Sequence, residues 1–401
     1  AMNLDVSQKG ETQLVPPVAV VVRDPLASLQ RFARVRREAA RGLRVVGVTG
    51  SVGKTTAKEL IATVLEQRYR VLKSWGNYNN EIGLPLTLMD LEPSHQYAVL
   101  EMGMYAQGEI AQLCEIAQPQ IGVVMNVEPV HLERLGSIER IAEAKAELVE
   151  ALPRDGVAVL NGDDPRVRAM ASKCMGEVVT FGLGPENDLW AEKVMSKGLE
   201  GVRFLARAAS RFAGRGGAKE LRLRMLGRHV VMPALAAAAV GLLEGLSWEE
   251  IAQGLEKVGY GLRLVPKRGK NGILLLDDTY NASPPSTIAA LEAMAELPGR
   301  HIAVLGDMLE LGTWERRGHR EVGKRCAHLV DVLIAVGERA RWIAEGALEA
   351  DMPSGSVHWV KTNKDATILL EEIMRSGDNV LIKGSRGMAM EEIVEAWEER
   401  D

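Results

Sequence analysis

The chain has 401 residues, 46% of them hydrophobic and 26% charged, with a formal net charge of −5. This is an ordinary globular composition, long enough for two or three domains, and its acidic balance excludes a general electrostatic footprint for nucleic acid. Three cysteines, Cys114, Cys174 and Cys326, have neither paired spacing nor a nearby histidine cluster, which excludes a disulfide framework and a structural zinc and fits a reducing cytosol. The longest uncharged apolar run, Val230 to Leu243, falls short of the ~20 residues a membrane span needs. The N-terminus lacks the apolar core of a signal peptide, so the expectation is a cytoplasmic protein.

Residues 1–17 are polar, end in Pro16-Pro17 and read as a loose lead-in. Val18 to Val22 predicts one strand. Asp24-Pro25 then reads as an N-cap and first-turn proline, opening a helix with Leu26, Leu29, Phe32 and Val35 on one side. The arginines between Arg31 and Arg41 form either a solvated helix face or a surface for an acidic partner. Residues 1–43 are too few for a core of their own.

The run Val45 to Thr56 carries the sharpest signal. An apolar strand enters Gly50-Ser51-Val52-Gly53-Lys54-Thr55-Thr56, and a helix follows with Leu60, Ile61 and Leu65 as its apolar positions. This pattern predicts a phosphate-binding loop. Backbone N–H groups at the helix start and the Lys54 ammonium suit a polyphosphate, and the Thr55 hydroxyl suits Mg²⁺. Val48 stands where the longer form of the motif has a glycine, so the loop is of the Thr-Gly-x-x-Gly-Lys-Thr variety.

Alternating apolar strands and helical periods follow, with strands predicted at 44–49, 97–101, 121–126 and 157–161. They argue an α/β domain with a mostly parallel sheet covered on both faces. Residues 188–226 break the pattern and read as an antiparallel extension at the sheet edge. Helices are predicted at about 231–244 and 248–257. A second series begins near Gly259, with strands at 272–277, 301–305, 331–335 and 379–382. The reading is a central P-loop ATPase domain over 44–258 and a smaller Rossmann-like domain over 259–401.

Glu101 ends a buried strand, where ligands of open α/β sheets collect. It is either a Mg²⁺ ligand or an ordinary strand-end acid capping the next helix. His131 follows another strand and is either a metal or phosphate contact or a packing residue. Lys145, among acids in Ile141 to Leu148, reads on composition alone as a solvated helix lysine.

Taken in order, several segments form a set. They are the phosphate loop, Gly76-Asn77-Tyr78-Asn79-Asn80-Glu81-Ile82-Gly83-Leu84-Pro85, Leu100 to Gly103, Asn126 to Glu133, and Ile141 to Leu148. Leu160 to Pro165, Leu276-Asp277-Asp278-Thr279-Tyr280-Asn281-Ala282-Ser283-Pro284, Leu305 to Gly312, and Lys383-Gly384-Ser385-Arg386-Gly387-Met388 complete it. This series resembles the Mur ligase family of peptidoglycan synthesis, from about residue 18 to the end.

The resemblance implies an amide ligase that transfers the ATP γ-phosphate to a carboxylate and then lets an amine displace phosphate from the acyl phosphate. It implies D-alanyl-D-alanine as the amine and a UDP-muramoyl-tripeptide-type carboxylate, with ATP and Mg²⁺ as cofactors and a monomeric enzyme. By the same resemblance Lys54 serves the β- and γ-phosphates, Thr55, Glu101 and His131 the metal ions, and Lys145 a carbamate that supports a second Mg²⁺. Asp278, Tyr280, Asn281 and Arg263 would close over ATP. Asn79, Asn80, His319, Lys383, Ser385 and Arg386 would contact substrates. Outside that context Asp307 and His319 default to a helix cap or a surface role.

The sequence departs from the family at three places. Members carry a further N-terminal domain that recognises UDP, whereas here a strand and a helix precede the loop and Asp24 to Gln30 resembles that domain's exit. Val230 and Pro233 replace two asparagines that follow the histidine of Gly227-Arg228-His229. Glu128-Pro129 replaces a smaller glycine turn. A Mur-type ligase acting on a carboxylate without UDP, and a non-catalytic nucleotide-binding regulator, are the competing readings.

Overall fold

The computed structural model describes residues 21–399 apart from His131, residues 213–216, Tyr260 and Leu262. Two sheets organise them, one of nine strands and one of six. The first contains β1 (Arg44–Thr49), β2 (Val71–Lys73), β3 (Tyr97–Glu101), β4 (Ile121–Val124), β5 (Val157–Asn161), β6 (Glu177–Gly182), β7 (Leu189–Ser196), β8 (Val202–Ala208) and β9 (Gly217–Leu223). Its order is β2-β3-β1-β4-β5-β6-β7-β8-β9. The strands from β2 to β7 pair in parallel, and β8 and β9 extend the edge antiparallel.

Alternation within each strand divides the core. In β1, Val46 and Val48 join the cluster that holds the helices Lys54–Leu65 and Val231–Leu243, while Val45 joins the opposite cluster. The apolar run noted above is therefore a core helix. An apolar stripe on every side requires burial on every side, and eleven of its thirteen residues are buried.

The second sheet contains β10 (Val265–Arg268), β11 (Leu274–Asp278), β12 (His301–Gly306), β13 (Val332–Val336), β14 (Val357–Val360) and β15 (Asn379–Lys383). The order is β10-β11-β15-β12-β13-β14, and only β10 is antiparallel. Both sheets turn the carboxyl ends of their parallel strands toward the chemistry described below.

The helix Pro25–Ala39 forms with the Asp24 carboxylate accepting from the Ala27 N–H as read, but Leu26, Phe32 and Val35 of the expected apolar side are exposed. Arg37, read as part of a solvated face, is buried with its Nε donating to the Ala117 carbonyl. The helix packs on the first sheet's helices, and its Ala33 joins that core. The predicted strand over 18–22 is not found at residues 21 and 22, and the rest of it lies outside the described residues. β2, β6, β10 and β14 carry no clear sequence signal. β2 has three residues, β10 and β14 are short sheet edges, and so their pairing comes from neighbours more than from an apolar period.

Candidate active site

The order of the first sheet places β1 between β3 and β4, the point where the chain reverses direction of travel. Ligands of open α/β sheets bind at such a point. After Thr49 the backbone turns away at Gly50 with φ +153°, where an added Cβ would stand 2.7 Å from the Met125 Cβ. Gly53, at φ +85°, ends the loop in the left-handed region and starts the helix Lys54–Leu65. The Lys54 Nζ folds across the loop to the carbonyls of Gly50 at 2.8 Å and Ser51 at 3.2 Å.

Asn126 braces this loop from β4. Its Oδ1 accepts from the Ser51 N–H at 3.0 Å and the Val52 N–H at 2.8 Å, and its Nδ2 donates to the Val52 carbonyl at 3.0 Å. The Ser51 hydroxyl donates to the Glu128 carbonyl and accepts from the Glu128 N–H. The Ser51 and Val52 N–H groups thus face Asn126 and not a ligand. Gly53, Lys54, Thr55 and Thr56 remain as the helix N-terminus, whose N–H groups have no intrahelical acceptor. Asn126 was legible as a residue immediately after an apolar strand, but its partner was not.

Glu101 is set beside this loop by strand register, Val48 pairing with Glu101 across β1 and β3. Its N–H donates to the Ser74 Oγ at 3.0 Å, and its Oε1 accepts from the Asn79 Nδ2 at 2.8 Å. Glu101 is 2% exposed, and its Oε2 is buried with no hydrogen-bond partner among the described residues. Gly103 permits this approach, since a Cβ there would stand 3.0 Å from the Asn79 amide. Asn80 has a different task. Its Oδ1 accepts from the Gly83 N–H at 2.8 Å and so caps the helix Gly83–Met89.

Lys145 is 2% exposed, which corrects the solvated position read from composition. In the helix Ile138–Glu150 it shares a stripe with the buried Ile141, Ala144 and Leu148, a spacing visible in the sequence. Burial and the Lys54 charge push its pKa well below the ordinary lysine value. Burial, opposed by Glu101 and reinforced by Arg263, lowers that of Lys54 as well. His131 lies outside the described residues.

The second sheet supplies the facing wall. Asp278 and Lys383 end the neighbouring strands β11 and β15 in register, and the Lys383 Nζ lies 2.5 Å from the Asp278 Oδ2 and 2.9 Å from the Asn281 carbonyl. The Asp278 Oδ1 is buried with no hydrogen-bond partner among the described residues. The Arg263 guanidinium stacks 4.0 Å over the Tyr280 ring, and its charge lowers the pKa of both Lys54 and Lys383 after burial. Arg263 therefore stands between the two walls. They touch directly at Gly312, whose added Cβ would lie 2.8 Å from the Glu133 backbone.

Two of the expected substrate contacts are internal instead. His319 is fully buried, its Nε2 accepting from the Met308 N–H at 3.0 Å and its Nδ1 bonded to the Glu315 carbonyl at 2.7 Å. With both ring nitrogens used, it shapes the loop after β12. The buried Ser385 Oγ accepts from the Leu309 N–H at 2.9 Å and holds the same loop. Asp307 accepts from the Arg339 and Ala340 N–H groups, the cap role read for it. Arg386 is exposed and paired with Glu391 at 3.0 Å.

This is the arrangement of a two-domain ATP-dependent ligase, with a phosphate loop on one sheet and cations from a second sheet closing over it. The Mur ligase middle domain matches residues 48–241, and the Mur ligase glutamate ligase domain matches residues 262–386. The chain belongs to the Mur ligase family. The UDP-N-acetylmuramoyl-tripeptide–D-alanyl-D-alanine ligase of Bacillus subtilis is 40% identical over 94% of this chain and 80% of its own length. The enzyme of the same name from Escherichia coli is 33% identical over 96% of this chain and 82% of its own length.

Solved structures agree. MurF from Acinetobacter baumannii superposes with a TM-score of 0.85 at 31% identity, over 94% of this chain and 81% of that one. The MurF ligase of Thermotoga maritima in complex with ADP gives 0.81 at 29% identity, over 96% and 86%. The chain is a carboxylate–amine ligase that uses ATP. Among the described residues no helix is long and apolar enough to cross a membrane.

Proposed function

We propose that this ligase joins D-alanyl-D-alanine to the terminal carboxylate of a UDP-N-acetylmuramoyl-tripeptide, with Mg²⁺ and through an acyl phosphate, in the cytoplasm. The observation that carries the chemistry is the convergence of Lys54, Lys145, Arg263 and the unpartnered Glu101 Oε2 at the meeting edges of two sheets. The relatives named above support the substrates.

The donor set fits Mg²⁺. A buried carboxylate oxygen without a partner is costly unless a cation or proton meets it, and Thr55 adds a hydroxyl at the helix start. When bound, Mg²⁺ would neutralise charge on the transferring phosphoryl group.

Lys54 and the N–H groups of Gly53 to Thr56 hold the phosphates, and Arg263 adds positive charge from the second domain when the walls meet. Burial and the Lys54 charge disfavour the Lys145 ammonium and so favour the neutral amine, the form that attacks CO₂. Its Nζ then forms an N–C bond and loses a proton, leaving a carbamate anion beside Lys54. That exchange puts an anion beside the Lys54 ammonium, in place of an amine whose protonation the same charge opposes. Asp278 and Asn281 close over ATP and hold Lys383, which stands on the side of the incoming amine, with His131 assigned to the metal side by family position.

ADP release measured with UDP-N-acetylmuramoyl-tripeptide plus D-alanyl-D-alanine, against a panel of other carboxylates and amines, tests this reading. Turnover that requires both named substrates is the expected result. Turnover with an unrelated carboxylate, or none with any pair, overturns it.

A further inference from the structure

Lys58 is fully buried, one helical turn beyond Lys54, and takes no part in the chemistry above. Its Nζ donates to the Ser74 carbonyl at 2.7 Å and the Gly76 carbonyl at 3.2 Å, and pairs with the Glu59 Oε1 at 2.9 Å. Those two carbonyls flank Trp75, which is 78% exposed. A lysine ammonium is withdrawn from water only where several acceptors replace its hydration, and here they come from one loop.

That loop is tied to Glu101 at both ends. Ser74 accepts from the Glu101 N–H through its Oγ, and Asn79 donates to the Glu101 Oε1. Between these ties the loop passes over an open stretch, with Trp75 and Tyr78 outward at 78% and 38% exposure and in edge contact at 6.2 Å. Nothing in that stretch buries apolar surface enough to hold it. The stretch also turns on its own backbone bonds, Tyr78 N–H to the Trp75 carbonyl at 2.9 Å and Asn79 N–H to the Asn77 carbonyl at 2.7 Å. The Lys58 ammonium ties that turn to the helix whose N-terminus binds phosphate.

We infer that Lys58 is a positioning residue that couples the phosphate-loop helix to the carboxylate of Glu101 by clamping residues 74–76, and so tunes Mg²⁺ affinity without touching nucleotide or metal. This rests on the assignment of Glu101 to the metal side. Phosphates drawn onto the start of the helix and a cation drawn to the Glu101 Oε2 then share one rigid connection. The Asn79 carbonyl also accepts from the Gly103 N–H at 2.8 Å, so losing the clamp would loosen residues 74–78 and weaken, without breaking, the Asn79 bond that aims the carboxylate.

The test is ADP binding by calorimetry, with and without Mg²⁺, in Lys58→Met, Lys58→Arg, Asn79→Ala, Glu101→Gln and the double variant Lys58→Met/Asn79→Ala. In Lys58→Met, metal-free ADP affinity should stay within about twofold, while the Mg²⁺-dependent gain falls by about tenfold. Lys58→Arg should recover part of it. The double variant should be no worse than the poorer single one, because both act through the same carboxylate. Hydrogen exchange in residues 74–80 should quicken in Lys58→Met.

An unchanged Mg²⁺-dependent gain in Lys58→Met, or losses that simply add in the double variant, would overturn the coupling. If Lys58→Met does not fold, Lys58→Arg decides: wild-type Mg²⁺ dependence together with faster exchange in the loop would equally refute it. A Glu101→Gln variant with the full Mg²⁺ effect would instead remove the metal assignment itself.

Discussion

The Asn79 Nδ2 donates to the Glu101 Oε1 at 2.8 Å, and this single bond sets which oxygen of the carboxylate is left free. The other, Oε2, is buried and has no hydrogen-bond partner among the described residues. Asn79→Ala should therefore raise the Mg²⁺ concentration for half-maximal ADP release several-fold. Its KM for D-alanyl-D-alanine should hold within about twofold. A titration of Mg²⁺ at saturating substrates separates these outcomes.

Lys54→Ala should abolish ATP-dependent phosphate release while the far-UV spectrum and cooperative unfolding persist. The side chain bonds only to its own loop, at Gly50 and Ser51, so the fold does not depend on it. Acceptor-dependent turnover at the wild-type rate would refute the phosphate role.

Asn126→Ala strips the side-chain acceptor from the Val52 N–H, while the Ser51 N–H keeps the residue 126 carbonyl at 3.0 Å, and should cost about 1–3 kcal/mol of stability for the unpaired Val52 donor. The loop then enters binding disordered, so ADP affinity should fall by about tenfold. Asn126→Asp keeps the acceptor and loses only the Nδ2 bond to Val52, and should lie between the two. Thermal melts and calorimetry measure both effects.

Lys145→Met should inactivate the enzyme yet raise the melting temperature in metal-free, CO₂-depleted buffer at pH 7. Burial and Lys54 both disfavour the ammonium, so its folded pKa is depressed and the native state binds fewer protons than the unfolded chain. Lysine at that site therefore costs stability below its unfolded pKa of 10.5, and the cost lessens as pH rises. Partial rescue of a Lys145→Ala variant by short carboxylates, and a carbamate carbon signal from labelled bicarbonate in the wild type, would accompany the proposed role. Full activity in either variant would end it.

His319 should make the second domain sensitive to acid. Burial holds its pKa below 6.5, with the Glu315 carbonyl and the Asp307 and Glu315 charges opposing that shift and Arg339 reinforcing it. The neutral ring is the native form, so its contribution is complete above about pH 6.5 and declines as pH falls through that value toward the folded pKa. His319→Gln removes this titration. A wild-type melting temperature that drops no faster than the variant's between pH 7 and 5 would refute it.

The phosphate loop was legible because its chemistry is local. A glycine turn, a lysine and a helix start lie within a few residues, and no distant partner is needed to recognise them. The antiparallel extension at β8 and β9 was legible as a change of apolar period. The family resemblance left His319 and Ser385 misplaced, because a polar residue in a matched segment looks alike whether it meets a substrate or a backbone N–H. Lys145 was misread for the opposite reason. Its acidic neighbours along the chain masked a spacing that puts it on the buried stripe with Ile141 and Leu148.

The sequence by itself determined that this protein binds nucleotide phosphates, has two α/β sheets and carries the residues of a Mur ligase, since each is written in runs short enough to act locally. Only the tertiary structure decided which atoms are free. Register between β1 and β3 brings Glu101 to the loop, and burial with the Lys54 charge lowers the pKa of Lys145. Lys58 reaches across from Lys54's own helix to the loop that aims Glu101. These are long-range choices, made by desolvation and hydrogen-bond pairing between segments that no local pattern connects.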